Sequence, residues 1–242
     1  MLGRDRRGGS SPVVVATSDG PHLLKLRGAA QGTASLVAEV VVGALADDLG
    51  LAVPARRVVT LTATTPTDDR NDELADLLAA SHGENLGFRY LPHARHFVAD
   101  DLARVTADFA AHVRWLDWLV RNPDRTPQNP NILLDETGFW LIDHGAALPF
   151  QHDWSAVTEA TPLRAEATRP HVFDGVADRL AEWDPLLSAE LTRERLATAV
   201  DAVPPSFLEP LLSVPATADA LARRRAAYVA MLWKRLRGAR PF

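Results

Sequence analysis

The sequence predicts an α+β chain in two lobes, a small β-rich first lobe holding one helix and a mostly helical second lobe. Three observations carry that expectation. Apolar runs with strand character flank the turn signal Ser18-Asp19-Gly20 near the start. One apolar stripe at helical spacing follows them. Beyond Asp153 the pattern is mostly helical, broken by prolines at 162, 170, 185, 204, 205, 210 and 215. The boundary is expected between Leu91 and Asp101, which gives lobes over residues 1–95 and 96–242.

Taken in order, Val13 to Ala16 reads as a strand and His22 to Leu26 as its hairpin partner. In Leu24-Lys25-Leu26 the lysine points to the opposite face from the two leucines. Thr33 or Ser35 can cap a helix to Leu49, where Leu36, Val37, Val40, Val41 and Ala44 recur at helical spacing and Gly50 closes it. Val58 to Ala63 reads as a strand, Thr64 to Arg70 as loop, Asp72 to Ala80 as a short helix and Gly87 to Leu91 as a strand. Asp100 to Val120 reads as one long amphipathic helix, with Val105, Phe109, Val113, Leu116 and Val120 on its buried stripe. A polar, proline-interrupted loop runs from Arg121 to Asn131. Strands at Ile132 to Leu134 and Phe139 to Ile142 then flank the turn Asp135-Glu136-Thr137-Gly138.

Composition narrows the class. The 242 residues are 47% hydrophobic and 24% charged, the make-up of a globular protein, and a net charge of -5 argues against a general nucleic-acid binder. Nucleic acid is expected only through a partner. With no cysteine, disulfides, thiolate zinc sites and a cysteine nucleophile are excluded. No apolar run nears the roughly 20 residues that span a bilayer. The basic start MLGRDRRGGSSP lacks an apolar segment behind it, so a cytoplasmic location without membrane contact is expected. Lys25 and Lys234 are the only lysines among 26 basic residues. Arg223 to Arg240 reads as the solvated basic face of a terminal helix, where either cation would serve. Lys25 sits between apolar residues, where a compact ammonium and a planar guanidinium differ.

Phosphoryl transfer from a nucleotide needs separable parts, and the chain offers a candidate for each. Lys25 is the phosphate-binding cation, and Glu39, within the apolar helix, is its ion-pair partner. Asp124 opens Asp124-Arg125-Thr126-Pro127-Gln128-Asn129-Pro130-Asn131, an Asp followed by Asn and an apolar strand, as in a kinase catalytic loop. Magnesium prefers hard oxygen ligands, and Asn129 or Asn131 with Asp143 can supply them. Asn129 keeps the common five-residue spacing, whereas Asn131 directly precedes the strand. Trp140-Leu141-Ile142-Asp143-His144-Gly145 ends an apolar strand in Asp-x-Gly, so Asp124 and Asp143 stand at the two ends of one hairpin.

These segments, KLRG, QG, Glu39, NPDRTPQNPNILL and WLIDHGAAL, resemble the HipA-like kinases, from about Ser11 to Trp154, and look closest to a compact branch with little beyond the kinase core. The resemblance implies a two-lobed protein-kinase-like fold with ATP and Mg2+ as cofactors. It implies catalytic roles for Asp124, Lys25 and Glu39, and metal binding by Asn129 or Asn131 with Asp143. The acceptor would be a hydroxyl of a protein serine or threonine or of a small molecule. His144 replaces the Phe of a DFG motif, with a role at the metal, at the substrate or in the turn itself. Gly8-Gly9-Ser10-Ser11 and Gln31-Gly32 are candidate phosphate covers. Gly87 to Pro92, with Tyr90 and Leu91, is the candidate hinge for adenine, or a core strand. His93, His96, His152 and Asp153 read as scattered surface groups. A second reading is a nucleotide-binding pseudokinase or regulatory module; a third is nucleotidyl transfer.

Overall fold

The computed structural model of the chain describes residues 13–29, 31–65, 72–164 and 170–242. Strands β1 (Val13–Thr17) and β2 (Gly20–Lys25) form the expected hairpin, Val13 opposite Leu24 and Thr17 opposite Gly20. Strands β3 (Arg56–Leu61) and β4 (Gly83–Arg89) complete an antiparallel sheet in the order β1-β2-β4-β3. Between them run helices α1 (Gly32–Asp48) and α2 (Asp72–Ala80). A second antiparallel sheet joins β5 (Arg95–His96), β6 (Ile132–Asp135) and β7 (Gly138–Leu141) in that order. Helix α3 (Ala107–Val120) precedes this hairpin, and α4 (Leu180–Glu190), α5 (Arg193–Asp201), α6 (Pro205–Leu208) and α7 (Ala218–Arg237) follow it. No helix among the described residues is long and apolar enough to cross a membrane.

The alternation in β2 decides what each face meets. Leu24 and Leu26 join Val13, Leu61 and Leu74 in a small core between the first sheet and α2. Lys25 turns the other way and is 8% exposed. Helix α1 is apolar around most of its circumference, as a helix packed on several sides must be. It joins the main core with α3, β4, β6, β7 and the C-terminal helices, and it lies against α5 and α6.

Three local expectations are corrected. Neither Thr33 nor Ser35 caps α1: the N-cap is Gln31, without a side-chain bond, and the Ser35 hydroxyl donates to Gly32 O at 2.9 Å. The long helix 100–120 is two pieces. A 3₁₀ turn spans Ala99–Arg104, and α3 starts afresh after Thr106, whose hydroxyl accepts from the Phe109 N–H at 3.2 Å. Asp101 explains the first piece, because its carboxylate accepts from the Val98 N–H (3.0 Å) and from both guanidinium arms of Arg95 (2.6 and 2.7 Å). Leu102 and Val105 still pack on the core, so the stripe is real where the helix is not continuous. The Gly8–Ser11 candidate and part of the Thr64–Arg70 loop lie outside the described residues.

The third correction concerns α7. Arg235 is 5% exposed, stacks 4.6 Å from the Trp118 ring and donates to Trp118 O (2.8 Å) and Pro162 O (3.0 Å). Arg225 donates to Val200 O and Val203 O at the end of α5, each at 2.6 Å. The basic helix is therefore joined to the core through its arginines, while Lys234 pairs with the exposed Glu159. Arg235→Ala should destabilise the chain by about 3 kcal/mol, because it strands buried carbonyls, and lower Tm by roughly 6–12 °C. Arg237→Ala, on the exposed side, should cost under about 1 kcal/mol. Equal Tm losses in calorimetry would contradict this picture of α7.

Candidate active site

Three elements converge at one point. Lys25 ends β2, Glu39 lies midway along α1 and Asp143 follows β7. The Lys25 ammonium contacts the Glu39 carboxylate directly and donates to Asp143 Oδ1 at 2.5 Å. Glu39 is fully buried, whereas the Asp143 side chain, whose Oδ1 meets Lys25, is 41% exposed. The second Glu39 oxygen lies 3.3 Å from His144 Nδ1, and His144 is itself fully buried. That burial removes His144 from substrate contact. It is a buried turn residue that positions Glu39.

Burial opposes charge on Lys25, but Glu39 and Asp143 outweigh it and hold the ammonium above its ordinary pKa. Burial alone would raise the Glu39 carboxyl, and Lys25 with His144 overturns that, bringing it down to about 2. The pair is charged throughout the neutral range.

The loop after β7 is packed closely against the start of α1. A Cβ at Gly145 would lie 3.1 Å from Ser35 Cβ, 3.3 Å from Gln31 Oε1 and 3.5 Å from Glu39 Oε1, so any larger residue would press the loop and α1 apart by a few tenths of an ångström. Gln31 is thus at the site's edge. Gly32, at φ +58, lets the chain turn into α1.

Asp124 stands on the other side of the hairpin. Its Oδ2 accepts from Asn129 Nδ2 at 2.9 Å and from Asn131 Nδ2 at 3.2 Å. Both amides direct their nitrogens at Asp124, which leaves their oxygens as hard donors. The two differ in setting. Asn129 is exposed, whereas Asn131 is 8% exposed and has a left-handed φ of 51°. Asn131 O accepts from the Ile142 N–H at 3.0 Å, which puts Asn131 across the hairpin end from Ile142 and next to Asp143, also left-handed at φ 56°. Asn and Asp tolerate this conformation better than other side chains. One carboxylate and one or two amide oxygens suit a hard divalent cation such as magnesium, which completes its shell with water and phosphate.

Sequence reasoning missed the support beneath the loop. Asp117, in α3, is 4% exposed; its Oδ2 accepts from Arg125 Nε at 2.6 Å and lies 3.0 Å from His171 Nε2, and its Oδ1 accepts from Asn122 Nδ2 at 2.9 Å. Asn122 Oδ1 in turn accepts from the Asp124 N–H at 3.1 Å, and Arg125 Nη1 donates to Asn131 O at 2.7 Å. Asp117 therefore holds both Asp124 and Asn131 through one intermediate each. Burial would raise its pKa, but Arg125 and His171 together keep it below the ordinary carboxylate value. A signal existed, since Asp117 falls four residues after Val113, on the buried stripe. His171 carried none.

The structure does not bring Tyr90 and Leu91 to these carboxylates. They border a groove of about 670 Å³ walled by Val53 to Arg56, Arg89 to Pro92 and Trp140; Lys25, Glu39, Asp124 and Asp143 do not line it. The Tyr90 N–H donates to Pro21 O at 3.0 Å, and Leu91 O accepts from the Ala94 N–H at 3.3 Å. Inward from Tyr90, Phe88 lies 5.9 Å below the Lys25 ammonium.

The depressed Glu39 pKa has a consequence. A carboxyl lowered in the folded state gives stability that is complete above its unfolded value near 4.5 and lost as pH falls toward 2. Urea unfolding between pH 2 and 6 should show stability rising with pH, and Glu39→Gln should remove part of that slope. An unchanged slope would rule out a charged, paired Glu39.

No curated protein sequence matches the chain. The family model described as HipA-like kinase matches residues 1–215, most of the 242-residue chain. With the Lys25–Glu39–Asp143 cluster and the Asp124 loop lying inside that span, the chain belongs to the HipA-like kinases.

Proposed function

We propose that this chain is an ATP- and magnesium-dependent kinase that transfers the γ-phosphate to a hydroxyl, of a protein serine or threonine or of a small molecule. The observation that carries the reading is the bridging of Glu39 and Asp143 by Lys25, one cation held at the meeting point of β2, α1 and the hairpin. Membership of a kinase family supports phosphotransfer in general. We also read the chain as two lobes, 1–95 and 96–242, with the nucleotide between them, its base toward the Phe88 to Leu91 end of β4 and Gln31-Gly32 beside its phosphates.

In this reading Lys25 neutralises the α/β-phosphates, and Glu39 and His144 hold its ammonium in place. Asp143 and Asn131 hold magnesium, which when bound supplies positive charge to the transferring phosphoryl group. Asn131 is favoured over Asn129 by its burial and its place beside Asp143. The Asp124 carboxylate, fixed by two amides and by the Asp117 support, orients the acceptor hydroxyl and takes its proton. Catalysis then rests on positioning and electrostatics.

Incubation with magnesium and γ-labelled ATP tests this. Label transfer or ATP turnover is expected, with losses of about a hundredfold or more in Asp124→Ala and Asp143→Asn. Lys25→Arg should also lose most activity, because a guanidinium fork cannot fill the place of a compact ammonium. Tight ATP binding without turnover would mean a pseudokinase, and transfer of label from α-labelled ATP in a parallel reaction, with none from γ-labelled ATP, would mean nucleotidyl transfer. Asn131→Ala should weaken magnesium dependence more than Asn129→Ala does; the reverse order would exchange their roles.

A further inference from the structure

A second cavity lies away from Lys25 and the Asp124 loop, between α7 and the chain just before it. It has a volume of about 230 Å³ and is lined by Trp154, Ser213, Val214, Ala220, Arg223 and Arg224, among others. The chemistry of its wall is one-sided. Arg224 lies with its Cζ 4.4 Å from the centre of the Trp154 ring, and its Nη1 is buried with no hydrogen-bond acceptor. Trp154 Nε1 is also buried, but it lies against the Tyr228 hydroxyl, which donates to Gln151 at 2.8 Å and keeps a lone pair for the indole N–H.

A buried donor without an acceptor costs about 1–3 kcal/mol, so the Arg224 Nη1 calls for an explanation. Among the described residues no carboxylate reaches Arg223 or Arg224, although other arginines of this helix are occupied: Arg225 by carbonyls of α5 and Arg235 by carbonyls near Trp118. Burial lowers the Arg224 pKa from its ordinary value, which is the mark of a cation lacking a counter-ion. Ala220 lies in the first turn of α7, so the positive end of a 20-residue helix also borders the cavity. The cavity sits in a chain whose net charge is negative, so this local excess of positive charge is not a general surface property.

We propose that this cavity binds a phosphate-type oxyanion, with Arg223 and Arg224 as its charged donors and the Ser213 hydroxyl as a neutral one. Two guanidinium forks offer enough N–H groups for a tetrahedral anion, and the cavity has room for one phosphate group with a short organic stem. The proposal does not depend on the kinase reading.

The test is thermal unfolding of the full chain, with tryptophan emission, during titration with inorganic phosphate and with glycerol 3-phosphate, using acetate at matched ionic strength as control. A saturable rise in Tm of about 3 °C is expected at tenfold excess over Kd. Affinity should fall tenfold or more in Arg224→Gln and in Arg223→Gln; should the first fail to fold, the exposed Arg223→Gln carries the test. Saturation by both ligands identifies a free phosphate group as sufficient, and saturation by glycerol 3-phosphate alone identifies an esterified one. No saturable effect, an equal effect of acetate, or full affinity in the variants would overturn the proposal. So would an effect abolished by Lys25→Met but retained in both arginine variants, since phosphate would then be bound at Lys25.

Discussion

Glu39 sits on a helix whose other side chains are mostly apolar, with no surface left to water. A carboxylate there is tolerable only with a cation against it, and Lys25 reaches it from the neighbouring sheet. Much follows from this one pair. It fixes the rotation of α1 relative to β2, because only one face of the helix can present Glu39 to the lysine. It gives Lys25 a second contact at Asp143, which ties the hairpin to the same point. The close approach of Gly145 to Ser35 and Glu39 then seats the loop after β7 against the helix.

The Asp117 group does for the catalytic-type loop what Glu39 does for the lysine. Both are buried carboxylates whose charge is kept by an adjacent cation and a histidine. The difference lies in reach. Glu39 joins elements through side chains alone, whereas Arg125, held by Asp117, reaches backbone carbonyls, and its own carbonyl accepts from the Val172 N–H at 3.0 Å. The segment after residue 170 is thereby docked under the loop.

Much of the site was legible because its spacing is local. Two-residue alternation in β2 gave the direction of Lys25, and the paired strands after Asn131 put Asp124 and Asp143 at one hairpin's ends. The α2 boundaries and the turn at residues 135–138 were equally plain. What escaped depended on partners distant in sequence. Nothing near His171 points to Asp117, 54 positions earlier, and nothing in a run of arginines marks Arg235 as the one enclosed by Trp118. The split before α3 escaped for a different reason, since Asp101 finds acceptor work at Val98 that competes with continuing the helix.

The single bond from the Ile142 N–H to Asn131 O separates two kinds of precision. Asn131 and Asp143 flank one hairpin, Asn131 opposite Ile142 and Asp143 one residue further, so their separation is set within a single sheet. Lys25 meets Asp143 from a different sheet, across a junction made of side chains. Any relative motion of the two sheets would change the reach of the lysine while leaving the span between amide and carboxylate as it was. Grip and gauge are thus built on separate foundations, one adjustable and the other fixed by the ladder of a four-residue strand pair.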